Sequence, residues 1–184
     1  MASKIKVDQL ETADGTGTIA LQNQLSGMTT ASLPTVTTDK LGTGAVLQVV
    51  TGTRTGNFST SSTSFVSTGL SASITPSSTS SKILVYFQSG MDCVANGRTA
   101  YCSVDRTVGG SGTNLGNSGE GMMALSSSAG GSVRIPVHLH TSDSPNTTSA
   151  CTYSLTTRSH TGDTIEFPAF SSGVQSVTLI EIAG

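Results

Sequence analysis

Val66-Ser67-Thr68-Gly69-Leu70-Ser71-Ala72-Ser73-Ile74 decides the fold. Val66, Thr68, Leu70, Ala72 and Ile74 share one face of an extended chain, while Ser67, Gly69, Ser71 and Ser73 share the other. Period two with β-branched residues is the pattern of a half-buried antiparallel strand. Val133, Ile135, Val137 and Leu139 repeat it, and the apolar run Ile83-Leu84-Val85-Tyr86-Phe87 reads as a buried strand near the centre of a sheet. The chain carries 30 serines and 29 threonines in 184 residues, a composition that without this alternation would read as disorder. No stretch sustains a helical stripe at i, i+3, i+4 and i+7, so the protein is all-β.

Composition excludes several classes of function. Charged residues are 11% and the net charge is −2, with nine Lys and Arg scattered singly, so no basic face exists for nucleic acid. Aromatics are 4% without a tryptophan, which removes the stacking platforms that single strands need. No run approaches the roughly 18 apolar residues of a membrane helix. The N-terminus alternates charged and apolar residues and lacks the apolar core of a signal peptide, which points to synthesis in a cytosol. Cys93, Cys102 and Cys151 are odd in number and show no paired spacing; they read as buried thiols rather than a disulfide framework. Asn57-Phe58-Ser59 and Asn146-Thr147-Thr148 match a glycosylation sequon, a match that arises by chance in so Ser/Thr-rich a chain.

The chain divides near residue 45. Residues 1–45 hold short apolar pairs, Ile5/Val7 and Ile19/Leu21, around a Gly-rich turn, too few to build a core alone. They read as an anchoring arm and linker, ordered by a partner. Residues 46–184 hold closely spaced strands, about eight in all. Asn96-Gly97 predicts a two-residue hairpin turn into the strand at 99–106. Gly109 to Gly121 reads as a floppy Gly/Ser region, and Met122-Met123 as core filling. The expected architecture is a jelly-roll-like antiparallel β-sandwich with an extended N-terminal arm.

Chemistry is sparse. His138 and His140, two apart on a strand, point to one face and with His160 could supply a metal's ligands. With no carboxylate beside them and no zinc-type spacing, exposed or interface histidines without metal are the preferred reading. Asp92, Asp105 and Glu120 are the carboxylates that glycan cleavage would need, but Asp92 and Asp105 fall at expected hairpin ends, where acids serve solvation. No Gly-x-Ser-x-Gly is found, so no enzyme and no cofactor is expected. Surface binding belongs on the loops, 107–132 and 141–149, where Asn114, Asn117, Asp143 and Asn146 are the candidate contacts.

Lys4-Ile5-Lys6-Val7-Asp8-Gln9-Leu10-Glu11 with Gly15-Thr16-Gly17-Thr18-Ile19-Ala20-Leu21 resembles the N-termini of tail-fibre-like and other virion structural proteins of tailed bacteriophages, marine ones among them. Phe65 to Pro76 running into Ser80-Ser81-Lys82-Ile83-Leu84-Val85 is similar to a segment of their C-terminal domains, as are Gly162-Asp163-Thr164-Ile165 and Val177 to Ile182. These stretches are structural rather than catalytic. The resemblance implies a homotrimeric virion appendage assembled in the host bacterial cytoplasm. In that reading Ile5, Val7, Leu10, Ile19 and Leu21 dock the arm on other virion proteins, and the β domain faces a host-surface glycan. Capsid decoration is the alternative role, and a free carbohydrate-binding or adhesin module a further one.

Overall fold

The computed structural model describes residues 41–94, 98–127, 131–168 and 173–184. The arm residues Ile5, Val7, Leu10, Ile19 and Leu21 lie outside them. Eleven strands follow in order: β1 (Val46–Arg54), β2 (Phe58–Thr60), β3 (Val66–Ile74), β4 (Lys82–Cys93), β5 (Thr99–Val108), β6 (Ser111–Asn114), β7 (Met123–Ser126), β8 (Val133–Asp143), β9 (Cys151–Ser159), β10 (Ile165–Phe167) and β11 (Gln175–Ile182). Among the described residues no helix is long and apolar enough to cross a membrane.

The strands form two antiparallel sheets. One is six-stranded in the order β1-β11-β4-β10-β2, with β8 on the other edge of β4; the second holds β3-β9-β5-β6, with β7 also on β5. The expected β-sandwich is the fold. Strand β4 is central because its apolar residues alternate with full burial of Ile83, Val85, Phe87 and Met91. Those side chains meet Leu70 and Ile74 of β3 and Val104, Tyr153 and Leu155 of the facing sheet in one core. Each such large apolar side chain contributes about 1.5–3 kcal/mol on leaving water.

The nine residues of β3 alternate as their sequence dictates, with Thr68, Leu70, Ala72 and Ile74 buried and Ser67, Ser71 and Ser73 exposed. A bulge interrupts the pairing of β3 with β9, between Ser67↔Thr156 and Ser71↔Ser154. Gly69 turns it at a φ of 84°, a conformation that costs glycine little. The Thr68 hydroxyl donates to the Leu155 carbonyl at 3.1 Å across the gap.

Three expectations change. The strands either side of Asn96-Gly97 lie in different sheets, so they form no hairpin; residues 95–97 themselves lie outside the described set. The Gly/Ser region is folded rather than floppy: β6 pairs with β5, and Asn117 and Gly121 exchange backbone hydrogen bonds at 3.1 and 2.8 Å. Among the described residues strands number eleven rather than about eight, because β2, β6 and β7 are too short to show a period.

Gly121 has a φ of 70°, and a Cβ there would lie 2.4 Å from the Cys102 carbonyl oxygen of β5. Gly121→Ala therefore forces a backbone shift and is expected to cost about 2 kcal/mol. Chemical denaturation of the purified chain reads this as a lower midpoint; an unchanged midpoint would refute the packing of this loop on β5.

Candidate functional site

The outer face of the six-stranded sheet gathers the side chains with most to offer a partner. Register places them in rows. Val49 of β1 pairs with Ile180 of β11, which pairs with Leu84 of β4. In the next row Thr51 and Thr178 lead to Tyr86 and then His140 of β8; in the third, Thr53 and Ser176 lead to Gln88 and His138. The Tyr86 and His140 rings stack with centroids 6.3 Å apart and planes inclined 19°. A shallow depression of about 220 Å³ runs over Tyr86, His138 and Thr178. Tyr86 is 45% exposed and Val49 55%. Between Lys82 at one end of β4 and the Arg134–Asp92 ion pair at the other (2.6 Å), these rows contain no Asp, Glu, Lys or Arg.

His138 and His140 thus share one exposed face, as their spacing requires. His160 does not join them. It follows β9 in the other sheet and packs edge-on against Tyr101, with its Nδ1 3.4 Å from the Tyr101 hydroxyl. Among the described residues no three metal-ligating side chains come together.

Asp92, Asp105 and Asp143 are engaged in structure, whereas Glu120 is exposed in the loop before β7. Asp92 does not sit at a solvated hairpin end: it is buried in β4 under Arg134. Asp105 lies on β5 in the opposite sheet, its carboxyl pushed above the usual range by burial, against a hydrogen bond from the Thr156 hydroxyl that pulls it down. The two acids stand on opposite outer faces of the sandwich and cannot flank one substrate. Asp143 is not a loop contact either. It ends β8, where Arg106 Nη1 donates to both its oxygens at 2.9 and 2.8 Å and the Tyr153 hydroxyl donates at 2.7 Å. Burial first, and the carboxylate second, push the Tyr153 phenol up, so it remains a donor.

Asn114 Oδ1 accepts from Ser103 Oγ at 2.6 Å and from the Gly116 amide at 2.7 Å, and Asn117 Oδ1 accepts from the amides of Gly119 and Glu120. Both side chains shape the loop rather than project from it. Asn146 is exposed in the 144–150 loop at a φ of 52°, a left-handed conformation that asparagine tolerates. Met122 and Met123 pack on the core, as expected. All three cysteines are buried, and burial raises the Cys102 thiol to about 12, beyond use as a nucleophile.

Two clasps were missed by sequence reasoning although parity announces them. Glu181 occupies an inward position on β11, in step with Val177 and Leu179. Arg106, Asp143 and Tyr153 are inward positions on three strands. A third device had no signal at all: the Arg158 guanidinium lies 4.5 Å from the Tyr101 ring centroid and 5.7 Å from that of Phe65, and donates to the Gly119 and Thr63 carbonyls.

No protein-family model matches the chain, and no curated protein matches it. Among solved structures it is similar to VP2 of infectious bursal disease virus. A mutant VP2 in T=1 particles shows 11% identity over 82% of this chain and 45% of that one, with a TM-score of 0.34. The VP2 subviral particle gives 13% identity over 82% and 46%, with a TM-score of 0.29. The T13 particle of that virus gives 12% over 82% and 44%, with a TM-score of 0.30. The chain spans less than half the length of these proteins. Superpositions this loose transfer neither fold nor role.

Proposed function

We propose that the chain is a non-enzymatic structural protein of a tailed-bacteriophage particle. In this reading it is a homotrimer, its 1–45 arm docks on the particle through Ile5, Val7, Leu10, Ile19 and Leu21, and its 46–184 sandwich faces outward to attach to the host surface. One observation carries the reading. Two of the segments that resemble phage virion proteins, Ser80–Val85 and Val177–Ile182, are far apart in sequence but meet in one clasp, where the Glu181 carboxylate accepts a hydrogen bond from Ser81, and two more from Ser77 just before it. The engagement of Asp92, Asp105 and Asp143 in ion pairs and hydrogen bonds supports a non-catalytic role.

Antibody-gold labelling of intact particles from the phage encoding this chain tests the proposal. Label at the tail supports host attachment, label over the head turns the role to capsid decoration, and particles without label overturn the virion reading.

A further inference from the structure

The two outer faces of the sandwich differ in how their polar side chains are spent. Over the sheet of β3, β9 and β5 they bond within the molecule: Ser73 to Thr152 at 2.7 Å, and the Thr156 hydroxyl to the Ser103 carbonyl and to Asp105, each at 3.2 Å. Asn114 and Asn117 likewise hold backbone amides of their own loop. The depression on the other face is lined by Tyr86, Gln88, His138, His140, Ser176 and Thr178. Among the described residues none of these six side chains makes a hydrogen bond, apart from which Tyr86 and His140 stack. His140 covers one side of the Tyr86 ring; on the other side the row continues through Thr178 and Thr51, whose short side chains leave Tyr86 45% exposed. The volume, about 220 Å³, lies below the roughly 300–1,000 Å³ of pockets for drug-sized ligands and suits a single six-membered ring.

The chemistry of the lining selects the ligand. A hydroxyl, a primary amide and a neutral imidazole each both donate and accept hydrogen bonds. They match a molecule whose own hydroxyls do both, and the face of a tyrosine ring matches the C–H face of a sugar ring. An anion is served poorly, because Arg134 at the end of the face is committed to Asp92. An extended peptide needs the open backbone of a sheet edge, and β4 beneath the depression is paired on both sides, with β11 and β8. A wholly apolar ligand would strip water from the amide, imidazole and hydroxyl groups and return no hydrogen bond.

We infer that this depression is a binding subsite for one neutral pyranose unit, with Tyr86 against its C–H face and Gln88, His138, Ser176 and Thr178 at its hydroxyls. The inference rests on the host-attachment reading above and gives it a ligand class and a place. Saturation-transfer-difference NMR of the full chain tests it, with free glucose, galactose, mannose and N-acetylglucosamine as probes and glucuronic acid as the charged comparison. At least one neutral sugar is expected to receive saturation, strongest at the C–H protons of one ring face. Tyr86→Ala and Gln88→Ala each lose that signal with an unchanged far-ultraviolet circular dichroism spectrum, whereas Ser73→Ala/Thr152→Ala, on the opposite face, keeps it. If Tyr86→Ala loses its β spectrum, Gln88→Ala decides in the same way. Silence from all four neutral sugars overturns the subsite, as does a signal from glucuronic acid alone or one that the folded variants retain. Gold label on particles alongside silent sugars would remove this subsite and leave the virion role standing. A sugar signal that the variants lose, alongside unlabelled particles, would keep the subsite and overturn the virion reading.

Discussion

Replacing Glu181 with alanine is expected to lower the thermal midpoint by roughly 10 °C, equivalent to about 3 kcal/mol for a domain of this size. The carboxylate is fully buried. Its Oε1 accepts from the Ser77 amide, the Ser77 hydroxyl and the Ser81 hydroxyl, each at 2.7 Å, and its Oε2 from Gln48 Nε2 at 2.5 Å. One side chain thereby joins β11, β1 and the connection from β3 to β4. Alanine strands the buried Ser81 hydroxyl away from water, at about 1–3 kcal/mol before relaxation, and takes the charged acceptor from the exposed Ser77 and the half-buried Gln48. Glu181→Gln costs less, since one carbonyl oxygen remains, but its amide meets the Gln48 amide donor to donor. The effect depends on pH. Burial pushes the Glu181 carboxyl up, the hydrogen bonds outweigh it, and the group titrates below its ordinary value. A carboxyl with a lower pKa folded than unfolded adds stability above the unfolded value, about 4.3, and loses it as pH falls through the folded one. The gap between wild type and Glu181→Gln should therefore narrow below about pH 4. Thermal melts across that range check it, and a gap independent of pH would refute the ionised clasp.

Arg106→Leu is expected to destabilise the sandwich by about 3 kcal/mol, while adding Asp143→Leu recovers most of the loss. Arg106 and Asp143 are 19% and 10% exposed as side chains and 2.8 Å apart, joining β5 in one sheet to β8 in the other. Removing the guanidinium leaves a poorly solvated carboxylate with only the Tyr153 hydroxyl for company. Removing both charges leaves an apolar contact, which a buried ion pair seldom betters. Tyr153→Phe isolates the remaining bond and should cost about 1 kcal/mol. Denaturant titration of the wild type, Arg106→Leu, Asp143→Leu and the double variant forms a double-mutant cycle; additive losses would show that the pair does not couple the sheets.

Where the sequence was legible, the reason is parity. The nine residues of β3, and Val133 to Leu139 in β8, alternate over enough positions that only one face could be buried. The same parity put His138 and His140 on one exposed face. Asp143 was read as a loop residue because Pro145 and Asn146 follow it closely; its inward parity with Val137 and Leu139 was the better guide. Sheet assignment was not legible. Nothing local in Asn96-Gly97 says whether the next strand returns beside the last or crosses to the facing sheet, since that depends on which edges remain open. The stacking of Tyr86 on His140 was equally hidden, because cross-strand register is set by the whole of β4 against β8 and not by either strand alone. Strands of three and four residues, such as β2 and β6, contain too little pattern to be seen.

The hydroxyl-rich skin has a consequence for the medium this protein can work in. With 11% charged residues, and the ion pairs Arg106–Asp143 and Arg134–Asp92 each keeping a partner out of the solvent, dissolved ions find few exposed charges to screen. Hydroxyl groups hydrogen-bond to water in much the same way in dilute buffer and in brine. To the surrounding electrolyte the molecule is nearly transparent, so its folding should change little across a range of salinity that would rearrange a conventional surface of lysines and glutamates.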